Sequence, residues 1–315
     1  MKFSLIIPVA PERNAEIIES IKKLNYPKNE FHVIVIRGKN PSINRNKGAE
    51  KAIGEFIVFL DDDAVLDEDY LINVEEFFKR HPEIDIVGGP QLTPEDDRGF
   101  AKISGYALSS KFGAWKLASR YSSHKEEYDA DETSITSANL VCKRKVIEKI
   151  KFDSDLFPGE DPKFISDAKK LGFKIGYSPY FILYHRRRAN IKGLIKQIFN
   201  YGKVRPVKEK FFETLKNPFF LVPSAFFIYL VLLIISIIIN PQITGAIIGT
   251  DERFSLNFLW FLPLIAYIVL IILFGIGDSI KNKDYKAIFI LPLIYPLIHL
   301  SYGYGMIYGY LKKLG

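Results

Sequence analysis

One cysteine, Cys142, stands in a chain of 315 residues. That scarcity excludes an internal disulfide framework and any cysteine-based zinc site, and it fits a reducing compartment. Within NLVCKRK the residue closes an apolar run, where a lone cysteine is more often a small buried hydrophobe than a nucleophile. Glycine is missing from PVAPERN, the turn after the first apolar run, so there is no GxGxxG fingerprint and hydride transfer through a dinucleotide fits poorly. A Walker-type phosphate loop is missing too. The N-terminus, MKFSLIIPVAPERN, has too short an apolar run for a secretory signal and no small-residue cleavage site. The first domain is therefore expected to stay on the side of the membrane where it is made.

What is present is unevenly spread. Hydrophobic residues make up 48% of the chain, yet they concentrate from Phe219 onward, while the first 215 residues have the mixed composition of a soluble domain. Residues 219–239 and 254–276 carry no charge and, at about 1.5 Å per helical residue, each can cross the roughly 30 Å of a hydrocarbon core. Residues 287–310 are long enough but include Pro292, Pro296, His299 and several glycines, so a kinked, broken or partly interfacial segment stands beside a full span as an expectation. The loop GTDERF before the second segment is weakly acidic and KNKDYK after it is basic. The positive-inside tendency then predicts a multi-pass cell-membrane protein with KNKDYK and the N-terminal domain in the cytoplasm. The terminal LKKLG falls outside if the third segment spans fully, which the same tendency disfavours.

Between these regions lies a strongly basic stretch, residues 184–217, where most of the net charge of +7 is made. Ile191, Leu194, Ile195, Ile198 and Phe199 recur with helical spacing, which predicts a basic amphipathic helix on the cytoplasmic leaflet in contact with membrane lipids. A positive flank for the first span is the plainer alternative, and nucleic acid is not expected as a partner beside a membrane. The chain thus divides into a domain at 1–190, basic interfacial helices at 191–217 and a transmembrane region at 218–315.

In the first domain, FSLIIPV, FHVIVI and EFIVFL are short β-branched and aromatic runs, separated by NAEIIESIKKLNYP and SINRNKGAEKAI with helical spacing. Strand, helix, strand, helix, strand predicts an α/β fold with a mostly parallel, Rossmann-like sheet whose ligands sit at the carboxyl ends of the strands. Asp61, Asp62 and Asp63 follow directly on the third run. Like charges so close together cost stability without a counter-charge, and an isolated acidic triplet is usually a solvated cap. At the mouth of a ligand crevice the balance changes. Hard carboxylate oxygens suit Mg²⁺ or Mn²⁺, and such an ion bridges them to a nucleotide diphosphate. Arg45 and Asn46, expected at the start of the second helix, are placed to reach that nucleotide. His185 either joins the metal from the far side of the cleft or merely opens the basic HRRR run. Arg186, Arg187 and Arg188 are candidates for the diphosphate or for lipid headgroups. Trp115 is either an acceptor-stacking platform or ordinary packing.

FSLIIPV, NRNKGAEKAIGEFIVFLDDDA, FPGEDPKFISDAKKLGFKIGYSP and YHRRR, in this order and over about residues 1–205, resemble the family 2 glycosyltransferases, which have the GT-A fold and use nucleotide sugars. The resemblance implies that a DxD formed by Asp61 and Asp63, with Asp62 between, holds nucleotide and metal. It implies donor contacts at Pro8, Arg45, Asn46, Asp61, Asp62 and Arg186, and metal ligation by Asp63, Asp61 and His185. The ED pair maps onto Glu160 and Asp161, and inverting members use the Asp as general base. From local sequence alone, Asp161 before Pro162 reads equally as a helix N-cap, with Pro162 as first helical residue. One departure is plain: the second strand usually ends in an Asp that contacts the base, and here Arg37, Gly38 and Lys39 follow VIVI. The QxxRW of processive synthases is missing around Gln197, which favours addition of a single sugar. Together these features imply an inverting, metal-dependent transferase that moves one sugar from a nucleotide-diphosphate donor to a polyprenyl-linked saccharide. The alternatives are a synthase that uses the lipid phosphate itself as acceptor, and a noncatalytic nucleotide-sugar-binding scaffold.

Overall fold

The computed structural model describes residues 1–208, 211–239 and 258–314, in two compact units, Met1–Ala189 and Asn190–Gly315. The first unit is an α/β domain. Its elements are β1 (Phe3–Val9), α1 (Ile18–Lys22), β2 (Phe31–Arg37), α2 (Pro41–Lys51), β3 (Phe56–Leu60), β4 (Ala64–Leu66), α3 (Tyr70–Arg80), β5 (Ile86–Gly88), β6 (Gln91–Leu92), α4 (Gly99–Leu108), α5 (Lys111–Ala114), β7 (Asn139–Lys143), α6 (Arg144–Ile147), α7 (Glu160–Lys170), β8 (Ile175–Tyr177) and β9 (Leu183–His185).

Six strands form the main sheet in the order β2-β1-β3-β7-β5-β8. β1 pairs in parallel with β2 and β3, and β5 with β8, while β7 runs antiparallel between β3 and β5. The sheet is thus mostly parallel, as expected, with one reversed strand that periodicity does not show. The reason for the apolar runs is visible in β1 and β3. Phe3, Leu5, Ile7, Phe56, Val58 and Leu60 enter one core, and Ile6, Ile57 and Phe59 enter the other. Both faces are covered, so neither strand alternates with polar residues. Cys142 lies on β7, inside the second core, where burial pushes its thiol up. It is a buried hydrophobe, not a reactive group.

Reversal of β7 matters for the site. Leu60 pairs with Asn139, so the amino end of β7 meets the carboxyl end of β3, and the segment just before Asn139 reaches the ligand edge of the sheet. A second sheet, β4-β9-β6, sits beyond that edge. It pairs Ala64 with His185, immediately after the three aspartates.

The second unit contains α8 (Ile191–Lys208), α9 (Phe211–Leu215), α10 (Val222–Ile239), α11 (Leu262–Lys281) and α12 (Ala287–Leu314). Helices at Pro218–Ile239, Leu262–Lys281 and Ala287–Lys313 are long and apolar enough to cross a membrane. The second begins later than the expected 254–276; residues 254–257 and the loop GTDERF lie outside the described residues. The third is one helix of 28 residues with Pro292 and Pro296 inside it, so of the alternatives kept for 287–310 the long span fits and the broken segment does not. Its glycines are contact points instead. Gly305 and Gly309 lie against the backbone of Phe199 and Lys203 on α8. The apolar stripe of α8 is correspondingly divided: Leu194 and Ile198 are buried, whereas Ile191 and Ile195 stay exposed. Only part of the stripe expected to lie in lipid is therefore open to it.

A side chain at Gly305 would overlap the Phe199 carbonyl, while Gly277 on α11 has open space around it. Gly305→Leu is expected to destabilise the helical unit by about 1–3 kcal/mol, the usual cost of overpacking, and Gly277→Leu to change little. Melting temperatures of the two variants in detergent check this; equal melting would mean that α8 and α12 are not in close contact.

Candidate active site

Asp61, Asp62 and Asp63 leave the carboxyl end of β3, and the cost of placing three carboxylates together is met by three cationic partners from elsewhere in the unit. Arg13, in the turn after β1, bonds Asp63 at 2.6 Å and Asp62 at 3.1 Å. Arg45 bonds Asp61 at 3.0 Å. His185 approaches Asp63 at 3.1 Å and Asp61 at 3.9 Å. Burial works to raise Asp63, but the hydrogen bond and charge of His185, joined by those of Arg13, hold its carboxyl well below the usual range. Burial pushes Asp62 the other way, to about 6, against the pull of Arg13 and with the help of its two neighbours. Burial likewise raises Asp61, with Arg45 and His185 opposing. For His185 burial lowers the pKa, and Asp63 and Asp61 outweigh it, so the imidazole is raised overall.

Donor atoms of Asp61, Asp63 and His185 all lie within 4.8 Å of one another. Two carboxylate oxygens and a ring nitrogen converging at a sheet edge suit a divalent cation, and this group can hold one. His185 stands there because the β4–β9 ladder fixes it opposite Ala64. Asp62 is not part of the group. It is nearly fully buried, and one of its carboxylate oxygens has no hydrogen-bond partner among the described residues.

Arg45 ties this cluster to the next. It lies in the second turn of α2, not the first, because Asn40 caps the helix by accepting from the Ile43 amide and Pro41 takes the first position. From there its buried guanidinium reaches both Asp61 and, at 2.9 Å, Glu160. Glu160 opens α7 behind Gly159, which is the cap; its φ of 117° is one that glycine adopts without strain. Asp161 is therefore the second helical residue and Pro162 the third, and the expected cap at Asp161 is displaced by two positions. Ser137, just before β7, donates to Asp161 Oδ1 at 2.7 Å. Burial and the charge of Asp161 raise the Glu160 carboxyl, with Arg45 opposing.

Arg45 is 5% exposed and is the counter-charge for two acids, one of them as buried as itself. Arg45→Met is expected to cost about 3–5 kcal/mol, because an unpaired charge stays in the interior. Melting of Arg45→Met and of Arg45→Met/Glu160→Gln checks it; the second change should recover part of the loss. A double variant no more stable than the single one would remove the Arg45–Glu160 coupling.

Other expected contacts lie elsewhere. Asn46 exchanges hydrogen bonds with the backbone of Phe152, at 2.8 and 2.9 Å, and so anchors the segment after α6 instead of facing the aspartates. Arg186 bonds Asp96 and Asp97, and Arg187 bonds Thr93 and the Gln91 carbonyl while covering the Tyr121 ring. These two arginines fasten the end of β9 to the segment after β6, which places neither of them on the carboxylate cluster. Pro8 is buried within β1, paired in register with Ile36. Trp115 is half exposed with a φ of 50°, at the junction after α5. Arg37, where an Asp was expected to contact the base, instead bonds the Arg13 carbonyl at 2.8 Å. Arg13 and Ser137 were missed in the sequence. Periodicity marks neither, and the only signal for Arg13 was the need of three carboxylates for cations from neighbouring strand ends.

Comparison with known proteins matches the family described as Glycosyl transferase family 2 over residues 10–151. A relative from Methanococcus voltae, dolichyl N-acetyl-alpha-D-glucosaminyl phosphate 3-beta-D-2,3-diacetamido-2,3-dideoxy-beta-D-glucuronosyltransferase, is 23% identical over 98% of this chain and 97% of its own length. Minor teichoic acid biosynthesis protein GgaB of Bacillus subtilis is 29% identical over 52% of this chain, but that match spans only 17% of GgaB. Among solved structures, the mannosyltransferase PcManGT from Pyrobaculum calidifontis, in complex with GDP-Man and Mn²⁺, superposes with a TM-score of 0.58 over 99% of this chain and 88% of that one, at 14% identity. The fold is that of the GT-A enzymes, and residues 10–151 match a glycosyltransferase family 2 domain.

Proposed function

We propose that this enzyme transfers one sugar, with inversion, from a nucleotide-diphosphate sugar to a polyprenyl-linked saccharide at the cytoplasmic face of the cell membrane, with Mn²⁺ or Mg²⁺ as cofactor. The observation that carries this reading is the pairing of the Asp61–Asp63–His185 group with Glu160 and Asp161 through a single buried arginine, Arg45. Its full-length likeness to a Methanococcus voltae enzyme named for a dolichyl-linked acceptor, together with three helices able to cross a membrane, supports the lipid-linked saccharide.

A divalent ion on Asp61, Asp63 and His185 would supply charge stabilisation for the departing diphosphate. The chain's own residues do the rest. As the acceptor hydroxyl oxygen bonds to the anomeric carbon, the bond from that carbon to the diphosphate breaks, and the hydroxyl proton passes to Asp161. Ser137 fixes the orientation of the Asp161 carboxylate in the first turn of α7. Arg45 and Glu160 hold the start of α7 in register with Asp61, so base and donor site move as one body. Membrane anchoring would confine the enzyme to the surface that holds the lipid-linked acceptor, which lowers the entropic cost of that encounter. A lone hydroxyl, unlike a lipid phosphate that is already an anion near neutral pH, needs such a base.

The test is a screen of nucleotide sugars by thermal shift on the purified full chain. One nucleotide sugar is expected to raise the melting temperature when Mn²⁺ is present and to do so far less with excess chelator. Stabilisation equal in both conditions would overturn the metal-dependent donor site.

A further inference from the structure

Arg13 has no assigned role, and its surroundings specify one. Its turn is pinned at both ends: the Arg13 carbonyl accepts from Arg37 at 2.8 Å, and the Ile17 amide donates to the Asp62 carbonyl at 3.1 Å. The backbone is fixed while the side chain stays 49% exposed at the sheet edge. Its two terminal nitrogens divide between carboxylates of different kinds. One holds Asp62, whose side chain is 6% exposed. The other holds Asp63 Oδ2, whose partner oxygen Oδ1 already faces His185. Both oxygens of Asp63 are thus taken by cationic side chains, so any cation that binds Asp63 competes with Arg13. Asp62 cannot release the arginine as easily, because an unpaired carboxylate would remain in the interior. A guanidinium reads carboxylate and phosphate oxygens with the same planar fork.

We propose that Arg13 is a positioning residue that occupies Asp63 until a divalent cation arrives and then, still anchored on Asp62, turns its freed nitrogen to the diphosphate of the donor. The inference rests on the metal-dependent donor site proposed above. It makes Arg13 a competitor of the ion and a partner of the phosphates, two effects of opposite sign that a merely structural arginine would not produce.

The experiment uses the full chain in detergent, with Mn²⁺ followed by the resonance signal of the free ion, and pyrophosphate binding to the Mn²⁺-loaded chain followed by calorimetry. Arg13→Ala and Arg13→Gln, the latter keeping hydrogen-bonding capacity without charge, should bind Mn²⁺ about 2- to 5-fold more tightly than the wild type, the scale of a partly exposed ion pair. Both should bind pyrophosphate about 10-fold more weakly, the scale of one charge-assisted hydrogen bond. Unchanged or weaker Mn²⁺ binding in both variants, with Mn²⁺ binding lost in Asp63→Ala, overturns the role of Arg13 and leaves the metal site standing. Unchanged pyrophosphate affinity overturns its turn to the phosphates. Wild-type Mn²⁺ binding by Asp63→Ala overturns the metal site and this inference with it.

Discussion

Asp161→Asn is expected to lower turnover by roughly 10²- to 10⁴-fold, the usual worth of a general base, with donor affinity little changed. Asn keeps the shape of the side chain, and its amide nitrogen or oxygen can still meet Ser137, whose hydroxyl stands 2.7 Å from Asp161 Oδ1. The negative charge, and with it the proton acceptor, is removed. Because Gly159 and not Asp161 caps α7, the substitution does not disturb the helix start, and the kinetic loss can be read as chemistry. Turnover and donor affinity measured on the same variant check this. A near-normal rate would count against a hydroxyl acceptor and favour direct use of a lipid phosphate.

Asp63→Ala is expected to lower transfer by roughly 10²- to 10³-fold or more, on the scale of losing one preorganised group that stabilises transition-state charge. The fold should survive with a modest drop in melting temperature. Arg13 retains Asp62 at 3.1 Å, and His185 retains Asp61 at 3.9 Å, so neither cation is stranded. Rates over a range of Mn²⁺ concentrations separate a weakened site from a missing one. Full activity in Asp63→Ala, or in excess chelator, would contradict the assignment of Asp63.

Legibility in the sequence followed the range of the interactions. β1, β2, β3 and α2 could be read because their signals are local: short apolar runs, covered on both faces in β1 and β3, and helical spacing in the segment between β2 and β3. The three aspartates could be placed at a ligand edge for the same reason. Direction of β7 could not, since an antiparallel strand inserted between β3 and β5 has the same composition as a parallel one. That reversal is what brings Ser137 to the site, so the partner of Asp161 was out of reach of any local pattern. The sequence suggests Arg45 as a nucleotide contact; its burial between Asp61 and Glu160 is a contact across 115 residues of sequence in the longer arm. Asn46, next to it on the helix, necessarily points elsewhere, since adjacent helical residues do not share a face. Arg186 was drawn off the site by Asp96 and Asp97, whose charges lie in a loop with no periodic signal. In the second unit the glycines of α12 read as breakers in isolation and become contact points only once α8 lies against them.

The most direct single measurement is product analysis. The donor found by thermal shift, labelled in its sugar, is incubated with the full chain, Mn²⁺ and polyprenyl-linked saccharide, and the lipid-borne label is released by mild acid and sized. Label released as part of a larger saccharide, and lost when chelator is added, is the predicted result. Label released as a monosaccharide, or incorporated equally with chelator present, would contradict metal-dependent transfer to a lipid-linked saccharide.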